Sequence, residues 1–131
     1  MKKGVIHHLE IYVSDIEKTR KFWSLLLEEL GYKIYQEFNN GFSYKLDDTY
    51  LVFVKTEDEY LKNGYHRKNI GLNHIAFHGE SVENIERIKS ILLENNTVFL
   101  YEDRYPYAGG NGYYALFFED PNRIKVEIGL N

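Results

Sequence analysis

A chain of 131 residues with 44% apolar and 27% charged side chains has globular composition, which excludes disorder, and its length suits a single domain spanning 1–131. The absence of Cys excludes a disulfide scaffold, a thiolate metal site and a cysteine nucleophile. A formal net charge of −4 gives no electrostatic case for nucleic acid or an acidic membrane surface. With no apolar run of bilayer length and no signal-peptide form in Met1-Lys2-Lys3-Gly4, the expected setting is the cytoplasm.

Residues 5–13 alternate as a strand, with Val5, Leu9, Ile11 and Val13 on one face and Ile6, His8, Glu10 and Tyr12 on the other. A helix follows. Ser14-Asp15-Ile16-Glu17 has the form of a capping box with Ser14 as cap. Ile16, Trp23, Leu26, Leu27 and Leu30 recur at helical spacing, with Trp23 in the core, and Gly31 is placed to end the helix. Three short strands are expected at 32–38, 42–46 and 50–54, separated by the turn residues Asn39-Asn40-Gly41 and Asp47-Asp48. Residues 55–70 are charged, lack apolar periodicity and read as a linker or mobile loop.

The pattern then repeats. A strand at 72–78 leads to a helix capped by Ser81, carrying Val82, Ile85, Ile88, Ile91 and Leu92 and closed by Asn95-Asn96. Further strands are expected at 97–102, 113–119 and 123–128. An offset of 66 residues maps His8 on His74, Ser14 near Glu80, Leu26 on Leu92 and Ile34 on Leu100. The chain is therefore α+β, with two tandem βαβββ modules (5–56 and 71–129, joined by loop 57–70). If each helix covers one face of its sheet, the opposite faces are free to form a curved mixed sheet around a cavity.

Three of the strands place chemistry on the face away from the apolar row. His8 lies opposite the apolar row of the first strand, His74 opposite Ile75 and Phe77, and Glu127 opposite Ile124, Val126 and Ile128. Two imidazoles and a carboxylate make a divalent metal set suited to Zn, Ni, Mn or Fe, with positions left open for water or substrate. The alternative is three separate solvated polar residues, since no local ligand motif links them. His78 shares the His74 face but lies about 13 Å along the strand, too far for the same metal. His66, in the charged loop, is expected to face solvent.

The segments Ile6-His7-His8-Leu9-Glu10-Ile11-Tyr12-Val13-Ser14-Asp15 with Phe22-Trp23, Gly71-Leu72-Asn73-His74-Ile75-Ala76-Phe77, and Phe118-Glu119-Asp120-Pro121-Asn122-Arg123-Ile124-Lys125-Val126-Glu127 resemble three signatures of one family. It is the vicinal oxygen chelate superfamily of glyoxalases, bleomycin- and fosfomycin-resistance proteins and extradiol dioxygenases. The resemblance runs over residues 5–129 and implies a glyoxalase-like fold. It also implies metal ligands at His8, His74 and Glu127, with His8 preferred to His7 because it stands seven residues before Asp15. Glyoxalase I types carry a fourth ligand in the last strand of the first module, where this chain reads Tyr50-Leu51-Val52-Phe53-Val54. Three ligands resemble instead the fosfomycin-modifying branch or the triad of extradiol oxygenases.

On the substrate side, the Gly-rich stretch 104–112 is not a phosphate loop, since it lacks Gly-Lys-Ser/Thr and opens no helix. The resemblance sets it at the cavity mouth, where Arg104 would meet an anionic group and Tyr113 or Tyr114 would donate a phenol hydrogen bond. Tyr12, on the His8 face, and Tyr44 are further candidates. Glu10, Glu37 and Glu119 are candidate bases, none of which stands out; Glu10, one same-face step from His8, is placed either to orient a ligand or water there or to be a plain cross-strand partner. Two functions are implied. One is a metal-dependent lyase, isomerase or epoxide-opening enzyme acting on a small oxygen-rich substrate, with ring cleavage as a lesser variant. The other is a metal-free drug-binding module of the bleomycin-resistance type. Either is expected to be a homodimer, with His8 serving a metal within its own chain or across the pair.

Overall fold

Alternating and helical patterns produce the same series of elements twice. The computed structural model describes residues 3–130; Met1 and Lys2, on which the reading of the chain start partly falls, and Asn131 lie outside the described residues. Contacts divide the chain into two units, split after Gly64.

The first unit comprises β1 (His8–Val13), α1 (Ile16–Glu29), β2 (Lys33–Phe38), β3 (Gly41–Leu46) and β4 (Thr49–Lys55). Its four-stranded sheet runs β1-β4-β3-β2, parallel between β1 and β4 and antiparallel elsewhere. Asp15, rather than Ser14, caps α1: its side chain accepts a hydrogen bond from the Lys18 amide at 3.0 Å. Gly31 ends the helix as expected. At φ +90° it takes the left-handed conformation a side chain resists, and the Tyr32 amide returns to the Leu27 carbonyl. Trp23 is fully buried, its ring 4.9 Å from that of Phe53, which in turn stacks on Phe42. Of the apolar row in β1, Val13 is buried while Leu9 remains 38% exposed, and Val5 and Ile6 precede the strand.

The second unit comprises β5 (Ile75–His78), α2 (Val82–Glu94), β6 (Val98–Phe99), β7 (Ala115–Glu119) and β8 (Lys125–Gly129). Its sheet runs β5-β8-β7-β6, with the same directions as the first. Ser81 caps α2 as expected, accepting from the Asn84 amide at 3.0 Å. It stands 66 residues after Asp15, so the offset is kept at the two caps. Ile85, Ile88 and Leu92 are buried with Val126, Ile128, Leu116 and Phe118, the apolar row of the sheet.

The strands of the second unit are shorter than the sequence suggests, β5 beginning at Ile75 rather than at 72. β6 has two residues because Tyr101 turns left-handed at φ 57° and a 3₁₀ turn follows over Glu102–Arg104. β7 begins at Ala115 and β8 at Lys125, since Arg123 is left-handed in the turn before it. Strand pairing also sets Ile34 opposite Tyr44 and Phe99 opposite Phe118, so Phe99 rather than Leu100 is the counterpart of Ile34. The charged segment is not wholly irregular. It holds a 3₁₀ helix at Asp58–Asn63, and beyond it Arg67 makes a 2.6 Å ion pair with Glu119 while the Tyr65 hydroxyl donates to the Leu72 carbonyl.

Candidate functional site

In the second unit, the parallel pairing of β5 with β8 sets Ala76 opposite Glu127 and turns both away from the α2 face. His74, just before β5, lies on that same side. Its Nε2 stands 3.1 Å from Glu127 Oε1, and its Nδ1 is 2.6 Å from Asn73 Oδ1. Asn73 thus fixes the ring from the rear while Nε2 faces the carboxylate. Glu127 is 7% exposed, and the Tyr113 hydroxyl donates to its second oxygen, Oε2. Loss of solvent first, and then the adjoining carboxylate, push the Tyr113 phenol up to about 12. Asn73, His74, Glu127 and Tyr113 form one continuous polar chain.

Tyr114, the next residue, points the opposite way. Its hydroxyl donates to Glu86 Oε2 on α2 at 2.7 Å, and the Tyr105 hydroxyl donates to the same oxygen. The tyrosine hydrogen bonds, together with the Lys89 ammonium, hold the Glu86 carboxyl below its ordinary value. Burial and then the Glu86 contact raise the Tyr105 phenol above its own. Tyr113 and Tyr114 therefore serve opposite faces of the sheet. Arg104 is exposed, its guanidinium 5.0 Å from the Tyr101 ring centre. His78 and His66 are exposed.

In the first unit, His8, Glu10 and Tyr12 occupy the face of β1 away from α1, as their alternation requires, and pair with Tyr50, Val52 and Val54 of β4. The His8 ring stacks on Tyr50 at 4.8 Å and 6°, and its Nδ1 lies 2.8 Å from His7 Nδ1. Tyr50 continues to Tyr35, over which Lys45 sits, so His8 ends an aromatic row. Tyr12 is 64% exposed. Glu37 pairs with Arg20 at 2.9 Å, and Glu119 with Arg67 and, at 3.5 Å, Arg123. Glu10 is exposed and makes no ion pair among the described residues.

The strand registers make the two modules comparable. Leu9 pairs with Leu51 as Ile75 pairs with Val126, so Val52 is the counterpart of Glu127. The first module thus carries a valine where the second has its carboxylate. Among the described residues no three His, Asp or Glu side chains are grouped as a complete metal cage. The donor set that is grouped, one imidazole nitrogen from the residue before β5 and one carboxylate oxygen from the adjoining β8, fits a borderline divalent cation.

Sequence reasoning passed over Asn73, Tyr50 and Glu86. Asn73 carried a signal in standing beside His74. Tyr50 and Glu86 had none until strand pairing and helix docking placed them.

The family profile "Glyoxalase/Bleomycin resistance protein/Dioxygenase superfamily" matches residues 5–128. The chain is 50% identical over 123 residues to the uncharacterized protein YqjT of Bacillus subtilis (strain 168), covering 94% of this chain and 96% of that one. A crystal structure of a "putative glyoxalase" from Bacillus halodurans superposes with a TM-score of 0.96 at 51% identity, covering 98% and 97% of the two chains. A glyoxalase/bleomycin resistance protein from Albidiferax ferrireducens T118 shares the fold, with a TM-score of 0.73 at 16% identity over 98% and 99% of the chains.

Proposed function

This chain belongs to the Glyoxalase/Bleomycin resistance protein/Dioxygenase superfamily, and from that premise we propose that it is a divalent-metal-dependent enzyme acting on a small oxygen-rich substrate. Its ligands are His74 and Glu127 from the second unit and His8 from a first unit, of the same chain or of a partner copy in a homodimer. The observation that carries this reading is the 3.1 Å approach of His74 Nε2 to Glu127 Oε1, with Asn73 holding the far side of the imidazole. A histidine whose second nitrogen is held by an oxygen partner has the tautomer and orientation a metal ligand needs.

A Zn, Ni, Mn or Fe ion held by His8, His74 and Glu127 would supply Lewis acidity toward an oxygen-rich substrate. Around it the residues have separate tasks. Glu10, exposed and without an ion pair, is the base on the His8 face, whereas Glu37 and Glu119 are neutralised by arginines. Tyr12 and Arg104, both exposed, meet the outer part of the substrate; Tyr114 is committed to Glu86 and takes no part. With Val52 where a fourth ligand would stand, the chemistry is of the three-ligand, fosfomycin-resistance type rather than that of glyoxalase I.

A drug-binding module is favoured by one observation, the row His8–Tyr50–Tyr35 with Lys45 at its end, an aromatic surface suited to a planar ligand. The two readings separate in one assay. Protein stripped with chelator and reloaded singly with Mn, Ni, Zn or Fe is offered thiol adducts of methylglyoxal, fosfomycin with thiol, and catechols. Metal-dependent turnover of one of these supports the enzyme. Tight binding of planar drugs without turnover, equal with and without metal, supports the binder.

A further inference from the structure

Tyr113 reaches Glu127 through a slot that two glycines leave open. A Cβ on Gly129 would run into the Tyr113 hydroxyl and stand 2.6 Å from its Cζ. A Cβ on Gly109 would lie 2.8 Å from Cδ2 of the same ring. Real side chains do not approach so closely, so any residue larger than glycine at Gly129, in the regular strand β8, displaces the phenol. Gly109 lies in the loop before Tyr113 and lines another side of the ring. The slot ends at Glu127, two residues before Gly129 on the same face of β8.

A carboxylate offers two oxygens and turns about its last torsion, so by itself it presents either or both to a cation. Here the turn is blocked. The phenol occupies Oε2, leaving Oε1 beside His74 Nε2. Glu127 is 7% exposed, so no bulk solvent competes for that contact.

We propose that Tyr113 is a positioning residue rather than a substrate contact: its phenol, seated between Gly109 and Gly129, holds Glu127 so that Oε1 alone is presented with His74 Nε2 to a divalent cation. This rests on the reading of His74 and Glu127 as ligands and deepens it.

The test is titration of Co(II) into metal-stripped full-length protein, followed by calorimetry and by the visible Co(II) absorption. Tyr113→Phe keeps the ring and removes the hydroxyl. Gly129→Ala keeps the hydroxyl and fills its place. Both variants are expected to bind Co(II) about tenfold or more weakly, as loss of a ligand's outer hydrogen bond does. Both are also expected to share an altered Co(II) spectrum at saturation, because the freed carboxylate changes the number of oxygens it donates. A merely structural tyrosine would lower the melting temperature and leave the saturated spectrum unchanged. Wild-type affinity and spectrum in both variants, with Co(II) bound by all three proteins, overturns the positioning role and leaves the metal reading standing. No Co(II) uptake by the wild type overturns both.

Discussion

Val52 holds in the first unit the place that Glu127 holds in the second: each sits one step along the strand from a Leu9–Leu51 or Ile75–Val126 pair, on the face away from the helix. The duplicated fold therefore offers two equivalent positions for a carboxylate, and only one is filled. Val52 is 5% exposed, and its neighbour across the sheet, Ser43, is already bonded to Gln36. A carboxylate placed there would be buried without a partner. Val52→Glu is expected to cost about 3 kcal/mol at pH 7. Burial raises the new carboxyl above its unfolded value, so the loss is complete above the folded pKa, fades as pH falls from that value toward the unfolded one, and is gone below it. Urea unfolding at pH 7 and pH 4 checks this. An equal deficit at both would show that the site is solvated.

Arg67 ties the segment between the modules to the second sheet through Glu119, whose side chain is 8% exposed. Removing the arginine leaves that carboxylate with the longer contact to Arg123, at 3.5 Å. Arg67→Ala is expected to destabilise by about 3 kcal/mol, since a buried charge loses its closer partner. Protease cleavage within 57–70 is expected to quicken with it. Unchanged stability and cleavage would show that the segment is held by other contacts.

Glu86 gathers two phenols on α2, and the pH dependence follows from the directions of their shifts. Its carboxyl is held below its ordinary value by Tyr105 and Tyr114, so the stabilisation is present above the unfolded carboxyl value and lost as pH falls through the folded one. Tyr105 and Tyr113 are shifted up, chiefly by burial; their contribution is complete below about pH 10 and is lost as pH rises through the folded values. Glu86→Gln is expected to flatten the acid limb, and Tyr105→Phe the alkaline limb, of a melting-temperature profile. Because Glu86 is largely exposed, its removal is worth only about 1 kcal/mol at neutral pH. Parallel profiles for wild type and both variants would contradict the assignment.

Much of this was legible in the sequence because strands and helices have fixed periods. Alternation put His8, His74 and Glu127 on the sides of their sheets away from the helices, and the offset of 66 aligned Leu26 with Leu92, each buried in its own unit. What escaped depends on backbone conformation or distant partners. Asp15 and Ser14 are both good capping residues, and only the backbone decides between them. Alternation extends a strand through Tyr101 because it is blind to a left-handed residue there. The sequence offers Tyr113 and Tyr114 alike as substrate contacts, yet adjacent residues near a strand end face opposite ways. Nothing local showed that one would meet Glu127 and the other Glu86. Arg67 and Glu119 stand 52 residues apart, beyond the reach of any local pattern.

The central claim is that His8, His74 and Glu127 hold a divalent metal. Its most direct test is elemental analysis of protein purified without chelator, comparing wild type with His8→Ala, His74→Ala and Glu127→Gln after each is shown to be folded by circular dichroism. The expected result is about one metal per chain in the wild type and a large loss in all three variants. Equal and negligible metal in all four proteins, persisting after dialysis against Zn, Ni, Mn or Fe, would contradict the claim.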